Sequence, residues 1–146
     1  MKDIHSELTR KVAIGAAVHS ASLVGAIVDL QDHNAAEILV DIGVGGIVFS
    51  DANKIELKLE HSQDGSEFNA VTDTDVLGIE SVEEGGVIKA FSAEHAAAGV
   101  YRCGYKGGER YLRLSADFSG SHGAGTPFSA SILLGHGYSQ PEDNQA

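Results

Sequence analysis

Between Leu23 and Leu134 apolar and polar residues alternate one by one over most of the chain, the period of an extended strand with one face buried and the other in water. Leu23 to Val28 opens this pattern, and Glu37-Ile38-Leu39-Val40-Asp41-Ile42 sets Ile38, Val40 and Ile42 on a common face. Lys54-Ile55-Glu56-Leu57-Lys58-Leu59-Glu60 alternates without a break. The turn Ser62-Gln63-Asp64-Gly65 then predicts a return strand in which Leu59 pairs with Phe68 and Leu57 with Ala70. Gly86 to Phe91 reads as a further strand, and Ala93 to Gly99 as a helical turn between strands.

Val100 to Lys106 and Glu109 to Phe118 flank Gly107-Gly108, a two-residue loop of the composition that supplies positive φ in a tight hairpin. Counted from that loop, Cys103 falls opposite Leu112 and Tyr101 opposite Leu114 on one face, with Gly104 opposite Tyr111 and Arg102 opposite Arg113 on the other. Phe128 to Leu134 extends the register, aligning Phe118 with Phe128 and Leu114 with Ile132. About eight short strands, each with a face to bury, predict an all-β, two-sheet β-sandwich. Strand spacing alone does not separate jelly-roll from immunoglobulin-like topologies; the missing Cys–Trp–Cys pattern removes the antibody type, and a jelly-roll-like sandwich is the expectation. The expected division is an N-terminal arm at 1–22, a sandwich domain at 23–138 and a flexible tail at 139–146.

The arm carries Ile4, Leu8 and Val12 at four-residue spacing, as one face of a helix would. Because the inner faces of the body pair without it, the arm is expected to dock on a neighbouring subunit. The competing expectation packs it on its own sandwich or gives it an edge strand.

Composition narrows the function. The chain has 146 residues and a formal charge of −11, and 15 acids face only 3 bases from Asp29 to Glu94. Such a field opposes approach to nucleic acid or an anionic membrane, so neither is an expected partner. Cys103 is the single cysteine, which excludes an internal disulfide, and the Met1 end lacks a secretion-signal pattern, so synthesis in the cytoplasm is expected.

Candidate chemistry is sparse. Asp73-Thr74-Asp75-Val76-Leu77-Gly78 with Glu84 at the twelfth place spells part of a calcium loop, but Leu77 holds a ligand position and the flanks read as strand, so it is read as an acidic solvated loop. The seven histidines are scattered without metal-ligand spacing, His61 and His136 read as strand-end rim residues, and Cys103 reads as an inward packing residue. No nucleophile elbow and no phosphate-cradling glycine motif is present, so no catalytic residue, cofactor or metal is assigned and no enzyme activity is expected. More informative is a basic strip in an acidic chain: Arg102, Lys106, Arg110 and Arg113, with Tyr111 among them. Either an adjacent strand supplies carboxylates to these cations, or they face an acidic partner, a second copy of the chain included.

Several segments resemble a known family: Lys2-Asp3-Ile4; Leu57-x-Leu59-Glu60-His61-Ser62-x-Asp64-Gly65-Ser66-x-Phe68-x-Ala70-Val71; Gly104-Tyr105-x-Gly107-x-x-Arg110-Tyr111-Leu112-Arg113; Gly120-x-His122-Gly123-x-Gly125-Thr126-Pro127; and Leu134-Gly135-His136. Together they are similar to small virion proteins of tailed bacteriophages and prophages, encoded beside the major capsid gene. The resemblance implies a capsid decoration or cement protein, made in the host cytoplasm and bound outside the head shell, with the major capsid protein as partner. A homo-oligomer, trimer or dimer, is expected as well, because sites on an icosahedral shell lie near symmetry axes and the basic strip complements the acidic body; the arm's apolar stripe and that strip make Ile4, Leu8, Val12, Arg102, Lys106, Arg110, Tyr111 and Arg113 the interface candidates. The polar close from Gln140 to Ala146 departs from the short apolar ending of that family, so no docking role is carried over to it. The alternative is a carbohydrate-binding sandwich module of a phage tail or fibre, less favoured in a chain with no Trp and only nine aromatic residues, 4 Tyr and 5 Phe.

Overall fold

A computed structural model describes residues 3–142; the expected tail falls outside it from residue 143 onward. The strands are β1 (Leu8–His19), β2 (Leu23–Asp29), β3 (His33–Ile42), β4 (Lys54–Ser62), β5 (Asn69–Ala70), β6 (Val76–Leu77), β7 (Val87–Phe91), β8 (Gly99–Tyr105), β9 (Tyr111–Ser119) and β10 (Thr126–Gly137). They form two antiparallel sheets, β1-β10-β3-β8-β6 and β2-β9-β4-β5, with β7 also paired to β4. This is the expected all-β sandwich. Ile38, Val40, Phe128, Ala130, Ile132 and Leu134 of the first sheet bury against Ile55, Leu57, Leu59, Leu112, Leu114 and Ala116 of the second. Removing each such Leu or Ile from water stabilises the fold by about 1.5–3 kcal/mol, which is why alternation alone locates these strands.

Partner choice differs from expectation. β8 and β9 do not pair: β8 lies between β3 and β6, with Cys103 opposite Ile38, while β9 lies between β2 and β4, with Leu114 opposite Leu59. Gly107-Gly108 therefore carries the chain from one sheet to the other, and neither glycine adopts the positive φ that a tight hairpin needs. Gly107 is instead required for space, since a Cβ there would lie 2.5 Å from the Tyr105 hydroxyl oxygen. Tyr105 pins this crossing. Its hydroxyl accepts the Glu109 N–H at 3.2 Å and lies 3.0 Å from His61 Nδ1 on β4 of the opposite sheet.

Phe118 and Phe128, expected as cross-strand neighbours, do meet, with ring centroids 6.1 Å apart, but across the sandwich rather than along one sheet. β10 pairs β1 and β3 instead of β9. β5 meets β4 as Glu60 opposite Ala70, three residues off the expected register, and this leaves Phe68 on the outer face beneath the Arg113 guanidinium at 4.0 Å. Residues 93–98 form bends rather than a helical turn.

The segment expected to dock on a neighbour joins this domain. Residues 8–19 are β1, an edge strand on β10 that buries Ala13 and Ile14 at 2% exposure each. Spacing of four is a multiple of two as well as about one helical turn, so Leu8 and Val12 share a face of a strand equally well. Only His5–Glu7 are helical, as one 3-10 turn. β1 and β2 close one side of the sandwich through bulges in both strands, and Gly25 lies where they cross. A Cβ on Gly25 would sit 2.5 Å from both the Ala13 and Leu114 carbonyl oxygens. Gly25→Ala is accordingly expected to destabilise the domain by about 1–3 kcal/mol through forced backbone displacement, read as a lower denaturation midpoint at an unchanged slope.

Candidate docking surface

The two sheets present very different outer faces, and the difference follows from which residues occupy the outward phase of each strand. On the second sheet that phase is mostly charged and paired within the domain, with Val24 (66% exposed) and Ile27 (49%) on its β2 side. Lys54 pairs with Glu56 at 2.7 Å, Lys58 with Asp117 at 2.5 Å and Arg113 with Glu60 at 2.9 Å. Arg110 donates two hydrogen bonds to the Asp29 carboxylate at 2.8 and 2.7 Å, bonds Gln31 as well, and covers the Tyr111 ring at 4.9 Å. These bonds hold Asp29 below the usual carboxylate range, the Arg110 hydrogen bond being the main cause, and raise Lys58 through its bond to Asp117.

The outward residues of the first sheet form a grid across β1, β10, β3 and β8. One row is Arg10, Leu133, Glu37 and Gly104, continued by Leu77 of β6; the next is Val12, Ser131, Leu39 and Arg102; a third runs Ser129, Asp41 and Val100; and Val18 lies opposite Pro127. Val12 is 65% exposed, Val18 62% and Val100 69%. The ion pairs here are looser than those of the second sheet: Arg10 to Asp41 at 3.4 Å and Arg102 to Glu37 at 3.7 Å, with the Arg102 side chain 80% exposed. Between the ends of β1 and β8 the face opens into an apolar groove of about 570 Å³ flanked by Val18, Val100 and Pro127.

The expected basic strip is thus divided. Arg102 and Arg113 belong to opposite sheets; Arg102 lies opposite Leu39, and Arg113 lies between Ile27 and Glu60. Arg110, Tyr111 and Arg113 are engaged with residues of their own domain, so neighbouring strands supply the carboxylates. Lys106 lies on the crossing, where its N–H donates to the Asp75 carbonyl at 2.8 Å and its side chain is exposed. Ile4 is 65% exposed beside the 3-10 turn, whereas Leu8 and Val12 do lie on one face, that of the first sheet. The exposed Val18 and Val100 and the half-buried Leu39 and Leu133 were not among the sequence candidates. The alternation Val100-x-Arg102-x-Gly104 already put Val100 on the outer face.

The edge of β1 is blunted against strand addition. Two bulges interrupt it, and Lys11, opposite inward-facing Ile132, sets an exposed charge at an inward phase. The face is therefore better suited to docking than the edge.

Asp73 and Asp75 are used by their own turn. Asp73 accepts the Val82 N–H at 2.6 Å, and Asp75 accepts the Thr72 N–H at 2.8 Å and its hydroxyl at 2.7 Å, which lowers its pKa. Among the described residues no group of three or more His, Cys, Asp or Glu is arranged to hold a metal. Cys103 faces inward at 4% exposure, and burial raises its thiol to about 11 from 9.0. Burial likewise raises Tyr105 to about 12 from 10.0. Both groups keep their protons longer folded than unfolded, so their contribution is full below pH 9 and is lost as pH rises, from 9 to 11 for the thiol and from 10 to 12 for the phenol. The expected loss is about 2–3 kcal/mol per group. Scanning calorimetry between pH 8 and 12 should show the midpoint falling, and Cys103→Ala should flatten the lower part of that fall.

No family model matches the chain, and no curated protein matches it. Among solved structures it is similar to the SPBc2 prophage-derived protein YomS, with 12% identity and a TM-score of 0.47, covering 88% of this chain and 92% of that one. It is also similar to a chain of the disulfide-linked pili formed by Bacillus endospore appendages, with 7% identity and a TM-score of 0.39, covering 92% and 95%. No helix among the described residues is long and apolar enough to cross a membrane.

Proposed function

We propose that the chain is a non-enzymatic structural protein of a phage virion, a decoration or cement protein that binds the outside of the head shell through the outer face of its first sheet. The observation that carries this reading is the contrast between the two outer faces. The second is crossed by short ion pairs within the domain and exposes Val24 and Ile27 on its β2 side, while the first combines exposed Val12, Val18 and Val100 with the loosely held Arg102 and an apolar groove. Apolar centres with a few exchangeable charges at their margin are the composition of a protein interface. The resemblance of the turn and core segments to phage virion proteins supplies the partner, the major capsid protein. A net charge of −11 keeps the free subunit soluble until it meets the lattice.

An oligomer on the shell, dimer or trimer, fits the same reading, because a sheet face of mixed charge is able to meet a second copy as well as the capsid. Cryo-electron microscopy of particles incubated with the purified protein tests the assignment. Density for the sandwich on the shell, first sheet inward, is the expected result; density on the fibres with none on the shell would overturn it.

A further inference from the structure

Charge is divided unequally between the two ends of the sandwich. The register sets His19 opposite Thr126, Ile42 opposite Gly99, Phe91 opposite Ile55 and Ser119 opposite Lys54, so the loops 20–22, 43–53, 92–98 and 120–125 meet at one end. In a chain that is 21% charged these four loops hold only Asp51 and Glu94, and the runs from Val12 to Val28 and from Phe118 to Gly135 contain no Asp, Glu, Lys or Arg. The opposite end carries acids in each of its segments, Asp32 after β2, Asp64 and Glu67 after β4, Asp73 before β6 and Glu109 after β8, which outnumber Lys106 and Arg110 there. The uncharged end is a fixed surface. The Gly46 N–H donates to the Gly125 carbonyl at 2.9 Å, the Gly43 N–H to the Pro127 carbonyl at 2.7 Å and the Ser121 N–H to Asn53 Oδ1 at 3.0 Å, while His95 Nε2 lies 2.7 Å from the Gly43 carbonyl. Beneath these bonds Phe49 is buried with the His95 and His122 rings 5.6 and 6.4 Å away. From this surface Val44 and Val48 project into solvent, 54% and 70% exposed, with Ala96, Ala97, Ala98 and Ala124 exposed on the neighbouring loops.

From this segregation we infer that the uncharged end is an interface between two copies of the chain, joined end to end about a twofold axis. Such loops offer a charged partner no counter-ion, and they gain from a partner surface that is apolar and rigid. The same end of a second copy is such a surface, and a twofold axis brings like to like, the Val44 and Val48 loops of one copy against those of the other in a closed pair. Electrostatics selects this approach over any other between two bodies of charge −11. A strand of 12 residues such as β10 spans about 40 Å. End-to-end contact therefore sets the two acidic ends about 80 Å apart, about ten Debye lengths at physiological salt, whereas side-by-side contact brings them within a few. Because the loops are already hydrogen-bonded to one another in the free chain, little order remains to be imposed when the copies meet.

This contact is made by Val44 and Val48 rather than by the row of Val12, Leu39 and Arg102 on the first sheet, and it forms in the free chain without a shell, so it and the functional reading fail separately. Sedimentation equilibrium of the full chain from about 10 μM to about 1 mM should show a species of twice the 15.2 kDa chain mass. Association should tighten as salt rises from about 20 to about 500 mM, because salt screens the residual repulsion between the two acidic bodies and takes nothing from an uncharged contact. Val44→Asp with Val48→Asp should weaken association at least about a hundredfold at an unchanged thermal midpoint, and Val44→Ser with Val48→Ser, which adds no charge, about tenfold. A 15.2 kDa monomer at every concentration, association that weakens with salt as an ion-paired contact would, or an aspartate variant that associates like the native chain would each overturn the end-to-end pair.

Discussion

Removing residues 1–11 is expected to lower the thermal midpoint by about 10 °C or more, corresponding to a loss of about 2–5 kcal/mol for a domain of this size. The deletion takes away the first third of β1, which pairs Leu8 to Lys11 with Gly135 to Ile132 of β10. Thr9, 6% exposed, goes with it, and Leu134 and Ile132, both fully buried, lose part of their cover. Calorimetry on the truncated domain reads the effect, and a midpoint within about 2 °C of the full chain would mean that the strand contributes little of its own to the fold. Ile14→Ala probes the rest of the strand without shortening the chain. It removes a side chain at 2% exposure, a change that costs about 2–5 kcal/mol in cores of this density.

The same segment shows how far the sequence could be read. Alternation located β2, β3, β4, β7 and the inward residues of β8, β9 and β10, because burial of every second residue is the dominant favourable term and leaves its mark one residue at a time. It could not say which sheet a strand joins. In a sandwich the inner faces of both sheets point at the same core, so Cys103 and Leu112 face inward whether their strands pair or oppose one another. Gly107-Gly108 suggested pairing, but the glycines serve close packing on Tyr105, which no local pattern announces. Everything built on that hairpin moved with it, including the opposition of Arg102 and Arg113. The docking face was legible in part. Leu8, Val12 and Arg102 were singled out by residue type and lie on it, while Arg110 and Arg113 resemble Arg102 in sequence and differ from it in how closely a carboxylate holds them, Asp29 at 2.7 Å and Glu60 at 2.9 Å against Glu37 at 3.7 Å.

Val12→Asp combined with Val100→Asp should abolish shell binding, with an affinity loss of at least about a hundredfold, while leaving the domain folded. Both side chains are about two-thirds exposed, so in the free subunit a carboxylate at either position remains hydrated and the stability change stays within about 0.5 kcal/mol per site. At an interface the same carboxylates lose that hydration without a partner, and an uncompensated charge buried between two proteins costs about 2–5 kcal/mol. Val12 lies in one row with Leu39 and Arg102, and Val100 is two residues from Arg102 along β8, so one partner footprint covering the face touches both. Lys58→Gln with Asp117→Asn is the matching change on the second sheet: it removes an ion pair of 2.5 Å on a face that the proposal leaves in solvent, and particle binding should persist. Co-sedimentation with particles measures all three proteins side by side. Retained binding by the Val12/Val100 variant, or loss confined to the Lys58/Asp117 variant, would move the docking surface to the other sheet and take the argument from the unequal outer faces with it.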